Sequence, residues 1–431
     1  MENTTVTHQQ RTATSKRNAM LALVGCSLLQ LPIWGLPMTF GIFQEAYANS
    51  SSLDGSKSTI GVVGTTMNGT MYLSIPVIST LLDNGRWATW RRLVAIVGVV
   101  LSSLAFVATS FSTRAWHLII LQGVLAALGS AMIYAPTTLL LDEWYKDGNR
   151  AIAYGVQLSS KNIVGTGCPF LISGLIHATG IHNTLRIWAS IVLTAGLLGL
   201  AITPIKPSAD QVRRPRQIPW TFLKHRTFYI YAIGNAVFSS GYGLPQTYLS
   251  AYADSVLHVS SILGSLMIAL FNAPGILSSV GFGILSDKFA ISAKTNTLIS
   301  ALGSALCVTL LWGLKSHQIP ACLIAFSIGY GFFAGGYSAT WAGWIKEMER
   351  EAAQSNEAIN TGMVYGLLNG SRGVGYVVGG VAGTELLRAS PLKISSKWAY
   401  GTQYGPVILF TGISAIFGGW ATLWHACGVG I

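Results

Sequence analysis

The segment YGVQLSSK, from Tyr154 to Lys161, returns as YGLLNGSR, from Tyr365 to Arg372. Each copy opens on Tyr-Gly and ends on a cation that follows a serine. Two more pairs keep the same order at a nearly constant offset. Gly35-Leu36-Pro37 is repeated as Gly243-Leu244-Pro245, and Leu81-Leu82-Asp83 as Leu285-Ser286-Asp287. Self-similarity at half the chain length means two copies of one structural unit, the pattern of carriers that alternate access by moving one half against the other.

The sequence around these repeats is built for lipid. Of 431 residues, 51% are hydrophobic and only 10% charged, against about 25% charged in soluble domains. The 48 glycines are spread through apolar stretches, as close helix packing in a bilayer requires. A hydrocarbon core of about 30 Å takes about 20 apolar residues per helix. Twelve such runs are predicted: 19–43, 58–82, 92–111, 115–141, 151–176, 185–204, 227–251, 260–286, 295–314, 318–345, 358–384 and 403–428. The expected architecture is an all-α polytopic membrane protein. A tail (1–18) precedes a six-helix half (19–204), a cytoplasmic linker (205–226) and a second six-helix half (227–431).

The net charge of +12 is a topology signal and not a nucleic-acid footprint, because the basic residues lie in short segments between apolar runs. Arg11, Lys16 and Arg17 precede the first run, Arg86, Arg91 and Arg92 follow the second, and the linker adds six more basic residues. Both termini are therefore expected in the cytosol. The first run is expected to act as an uncleaved anchor, with the plasma membrane as destination. Asn49, in Asn49-Ser50-Ser51, falls on an external loop as a candidate glycosylation site. The five cysteines lie inside predicted spans without metal-site company, so no metal is expected.

The segment GFGILSDK, 281–288, resembles the cytoplasmic signature of the major facilitator superfamily. STLLDNGRWATWRR, 79–92, is its counterpart, with Ser79 in place of the glycine. The resemblance implies a twelve-helix fold and a gating role for Asp83, Arg86, Asp287 and Lys288; plain helix capping by the aspartates is the alternative. Phe40-Gly41-Ile42-Phe43-Gln44, Tyr134-Ala135-Pro136, Trp144-Tyr145, Arg150-Ala151, Asn272-Ala273 and Gly362-Met363-Val364-Tyr365 are similar to the fungal branch of the monocarboxylate porter family. Two cations expected from that resemblance are absent: the places fall on Met38 and Ser279.

Lys161 and Arg372 stand instead where the resemblance implies small residues. By helical rise both lie about 16 to 21 Å from the cytoplasmic helix ends, near mid-membrane. A charge there costs at least about 2.5–3.5 kcal/mol on insertion scales, and no acidic residue sits deep in any span to offset it. Each must face a wet cavity, a ligand or helix carbonyls. In the superfamily, helices one, four, seven and ten line the cavity. Here they carry Gln30, Trp34, Tyr134, Asn235, Tyr242, Gln246, Tyr337 and Trp341, an aromatic and amide-rich lining suited to a sizeable, partly apolar solute. Asn68, Asn162, Asn272 and Asn369 are candidates for bonds between helices.

No phosphate-binding Gly-Lys-Ser/Thr loop, zinc-type histidine pair or nucleophile triad is present. An ATP-driven pump and a hydrolase are disfavoured, and no cofactor is expected. The expected function is secondary active or facilitative transport, exporting a mid-sized organic acid or fungal metabolite. Proton-linked uptake of a small monocarboxylate and a transporter-like receptor remain the alternatives. The partners are a small solute, anionic or partly apolar, the lipid bilayer and, on the coupled reading, protons.

Overall fold

The computed structural model describes residues 16–48, 57–83, 86–145, 148–204, 220–259, 261–289, 291–357, 359–389, 391–392 and 397–426. The predicted spans become helices α1 (Lys16–Tyr47), α2 (Lys57–Asp83), α3 (Ala88–Thr109) and α4 (Ala115–Tyr145). One helical run, Arg150–Ile202, holds the next two. Gly180 breaks it at φ 76°, ψ 166°, a conformation that L side chains rarely adopt, and divides it into α5 before and α6 after. Helices α7 (Arg226–Leu257), α8 (Ser261–Asp287), α9 (Ala293–Trp312), α10 (Pro320–Gln354), α11 (Thr361–Arg388) and α12 (Gly405–Phe417) follow, with a short helix Trp420–Ala426 after the last.

Among the described residues, seven helical runs are long and apolar enough to cross a membrane. Helices α2, α7 and α11 fall outside that group because glycine, serine, threonine and tyrosine dilute them. The same dilution lets α11 lie against both α2 and α7. Another extensive pairing is α5 on α8, where a Cβ on Gly155 would sit 2.7 Å from the Ser279 carbonyl and one on Gly283 2.8 Å from that of Ala151. Only glycine allows backbones this near. Polar bonds lace this seam: Asn162 Nδ2 donates to Ser279 Oγ (3.1 Å), and Asn272 Nδ2 to the Gly165 carbonyl (3.3 Å). Two of the four candidate asparagines thus bond between helices. Asn68 and Asn369 donate to carbonyls of their own helices instead.

Several boundaries differ from the sequence reading by a few residues, and two of the differences matter here. Residues 177–184, expected as a loop, are helical apart from the break at Gly180. Helix α10 runs to Gln354 and not to 345, so Lys346 and Arg350 stand on a helix instead of in a loop. The charges in Trp341–Gln354 end the apolar run but not the helix, whose last turns are amphipathic.

This polar tail is a hub on the face where α1 begins. Glu347 pairs with Lys294 of α9 (3.2 Å) and accepts from Tyr231 of α7. Glu351 (3.0 Å) and Glu357 (2.8 Å) hold the two ring nitrogens of His225. The Glu357 hydrogen bond, aided by Glu351, raises the His225 pKa above its ordinary value, and the same bond lowers that of Glu357. A raised histidine pKa adds stability that is complete below its unfolded value, about 6.5, and is lost as pH rises through the folded value. The Glu357 share runs oppositely and is lost as pH falls through its lowered value. The clasp is therefore strongest at mildly acidic pH. The Tm is expected to fall by about 2 °C more between pH 6 and pH 8 in wild type than in His225→Gln, and parallel curves in a melting series would argue against the clasp.

Candidate functional site

The site is layered along the axis between the first and last six helices. On the face where α1 begins, polar bonds hold the two groups together. Arg150 of α5 pairs with Asp142 of α4 and with Glu349 of α10 (3.1 Å). Asp142 also accepts from Tyr154 (3.2 Å) and from Thr361 of α11 (3.1 Å). Beside it, Asp83 accepts from Asn360 and pairs with Arg91 (3.5 Å), whose guanidinium reaches Glu143 (2.5 Å). Asn360 in turn caps α11 by accepting from the Met363 amide (3.1 Å). Of the candidate gating residues, Asp83 lies within this lock. Arg86 and Lys288 are exposed, and the Asp287 side chain and Asn49 lie outside the described residues.

Above the lock is a buried aromatic chamber. Lys161 Nζ sits 4.2 Å from the Trp34 ring centre. Trp34 donates to Gln30 (3.0 Å) and packs on Tyr72 and Tyr134. The Tyr134 hydroxyl lies 3.4 Å from that of Tyr365, and Tyr365 stacks on Tyr154 at 4.8 Å. Arg372 lies 4.9 Å from the Tyr242 ring centre and 5.7 Å from those of Tyr72, Tyr376 and Trp341, and it donates to Ser338. Lys161 is 5% exposed and Arg372 2%, so neither escapes to an interface. Among the described residues, no carboxylate is within ion-pair distance of either. Cation–π contacts contribute about 0.5–2 kcal/mol each, which only partly offsets the removal of two cations from water. The chamber is thus an electropositive cluster of two cations walled by rings.

The candidate residues divide by position. Lys161, Trp34, Tyr134, Arg372, Tyr242 and Trp341 come together here, with Gln30 behind Trp34 and bonded to its own helix (2.9 Å). Asn235 is a strut to α11, donating to the Leu368 carbonyl (2.7 Å) and Ser371 Oγ (2.6 Å). Tyr337 donates to the Gly418 carbonyl (3.1 Å) and stacks on Phe238, facing the α12 end and not the chamber. Gln246 lies higher, against Met38 Sδ (3.2 Å). Sequence reasoning missed Tyr72, Tyr365 and Tyr376, which belong to α2 and α11, helices outside the implied cavity-lining set. Tyr365 was in view only as part of the repeat.

On the far side of the chamber a crevice of about 760 Å³, counting the part open to solvent, separates α1 and α2 from α7 and α11. Gln44, Asn68, Gln246, Thr384 and Tyr376 are among its lining residues, and none of the described lining residues is charged. The geometry is a buried aromatic cluster around two cations, with ion pairs at one end and the crevice, which shares Tyr376 with it, at the other. That arrangement, matched by a family model for the Major Facilitator Superfamily over residues 23–380, decides the assignment. The chain belongs to the Major Facilitator Superfamily. It is a membrane transporter, and its relatives are fungal transporters of this type together with monocarboxylate transporters. An MFS-type transporter, pynF, of Aspergillus niger is 24% identical, with 89% of this chain and 83% of that protein aligned. The aspyridones efflux protein of Emericella nidulans is 25% identical over 74% of this chain and 62% of its own. Monocarboxylate transporter 12 of Xenopus laevis is 25% identical over 75% and 71%.

The positions of the two absent family cations are filled by neutral contacts. Met38 lines the crevice and Ser279 takes the Asn162 amide. The buried cations of the chamber are Lys161 of α5 and Arg372 of α11 instead.

Proposed function

We propose that this transporter exports a mid-sized organic anion or partly apolar metabolite across the plasma membrane, with both termini cytosolic. The halves 19–204 and 227–431 rock about the chamber, and the lock around Asp83, Asp142 and Arg150, together with Arg86, Asp287 and Lys288 at or just past helix ends, opens and closes the cytosolic end. The observation that carries this reading is the pair of buried cations, Lys161 and Arg372, in an aromatic enclosure without a described carboxylate partner. An anionic ligand supplies the missing charge, and rings on every side accommodate an apolar body. Export is supported by the relative named as an efflux protein. On this topology the crevice faces outward, as a release route would. No catalytic step is assigned to the chain, and its coupling to protons runs, where present, without a deep carboxylate.

The second reading is proton-linked uptake of a small monocarboxylate, favoured by the relative named a monocarboxylate transporter. The neutral contacts at Met38 and Ser279 weigh against it. Accumulation of labelled lactate and of labelled larger aromatic acids, compared in cells with and without the chain, separates the two. Lower retention of the aromatic acids with lactate unchanged is the expected result. Faster lactate uptake alone reverses the assignment.

A further inference from the structure

The proposed function uses the charged groups of the chamber and leaves a neutral one unexplained. Gln157 of α5 is 1% exposed, and neither its Oε1 nor its Nε2 has a hydrogen-bond partner among the described residues. Burying a whole carboxamide without partners is unfavourable, so a group left this way points to something that visits it. Arg372 Nε and Trp341 Nε1 are likewise buried without acceptors among the described residues.

The helix fixes where Gln157 stands. Residues 155, 159 and 162 lie on the α8 side of α5, through the Gly155 close approach and the bonds of Ser159 and Asn162. Arg150, Tyr154, Gln157 and Lys161 form the opposite stripe, since spacings of three and four share a helix face. The other three members of that stripe all reach the central axis: Arg150 to Glu349, Tyr154 to Tyr365, Lys161 to Trp34. Gln157 lies between the stacked tyrosines and the lysine, one turn, about 6 Å, from Lys161 along the helix. At the matching place in the second repeat stands Leu368, so this polar group is on one side only.

We infer that Gln157 is a specificity-determining ligand contact, and that the cargo carries a neutral amide or lactam in addition to its anionic group. A carboxamide presents one acceptor and two donors in a plane, and a second amide placed edge to edge satisfies an acceptor and a donor at once. A hydrocarbon surface satisfies neither. An aromatic ring between the two polar ends spans about the one-turn separation and meets the walls of Trp34, Trp341 and Tyr365. This inference rests on the anionic reading for one end of the ligand, and its test keeps the two apart.

The test uses the purified full chain and three probes of one shape: 4-carbamoylbenzoate, 4-methylbenzoate and 4-methylbenzamide, with binding followed by tryptophan fluorescence. Wild type is expected to bind 4-carbamoylbenzoate at least about tenfold more tightly than 4-methylbenzoate. Gln157→Met, which keeps the volume, removes most of that preference while weakening 4-methylbenzoate by no more than about twofold. Equal wild-type affinity for the two benzoates, or a preference that survives in Gln157→Met, overturns the inference, and the first arm needs no variant to fold. If only the anionic reading fails, 4-methylbenzamide binds as well as 4-carbamoylbenzoate and still loses affinity in Gln157→Met. If only the amide contact fails, the two benzoates bind alike and Arg372→Gln weakens both.

Discussion

Replacing Arg150 with alanine is expected to shift the resting protein from closed toward open on the face where α1 begins by about thirtyfold. Arg150 bridges Asp142 and Glu349 across the two helix groups. Its own side chain is 12% exposed, that of Asp142 15% and that of Glu349 36%. Removing one member of a buried ion pair costs about 3–5 kcal/mol. The exposure of Glu349 screens part of this, and Asp142 keeps its bonds from Tyr154 and Thr361. About 2 kcal/mol remains, which at about 1.4 kcal/mol per tenfold is the stated shift. The readout is a cysteine introduced at Ser79, buried under Gly366 of α11, in a background without the native cysteines. An impermeant maleimide applied from that face should label it much faster in Arg150→Ala. Asp83→Asn, which keeps a polar group toward Asn360, should act in the same direction but more weakly. Unchanged labelling in both variants would reduce these contacts to local caps.

This lock was only partly legible in the sequence, for a physical reason. Asp83 announced itself by recurring at a helix end, because a repeated acidic residue beside basic loops is visible one residue at a time. Glu349 did not, since charge in a membrane protein reads as the end of a span. Helix α10 instead carries its charges outward on an amphipathic extension, and what fixes Glu349 is the arrival of Arg150 from 199 residues away. The same distinction runs through the chamber. Lys161 and Arg372 stood out because a midplane cation is expensive wherever it occurs. Tyr72 and Tyr376 did not, because a tyrosine in an apolar helix costs little and their stacking at 5.3 Å joins α2 to α11, a pairing that periodicity cannot reveal. Tyr337 misled in the converse way. It sits on a helix implied to line the cavity, yet its hydroxyl is used by the Gly418 carbonyl.

The largest expected effect on transport belongs to Arg372 and Lys161. Arg372→Gln should reduce uptake or release of an anionic solute by at least about thirtyfold, since truncating one partner of a buried charged pair costs about 2–5 kcal/mol. A neutral analogue of the same shape should lose less than about threefold. Lys161→Gln should raise the KM for acids in the same selective manner but by less, because Lys161 contacts one ring within cation–π range where Arg372 contacts four. The discriminating variant is Arg372→Lys. It keeps the charge and discards the planar fork, and with it the contact to Ser338. If field is what matters, Arg372→Lys retains most acid transport and Arg372→Gln does not. If the two fail equally, or if acids and neutral analogues decline together, the guanidinium is a structural tie between α10 and α11, and the electrostatic role passes to Lys161 alone. Flux into proteoliposomes, with each variant first shown to be monodisperse, gives the answer.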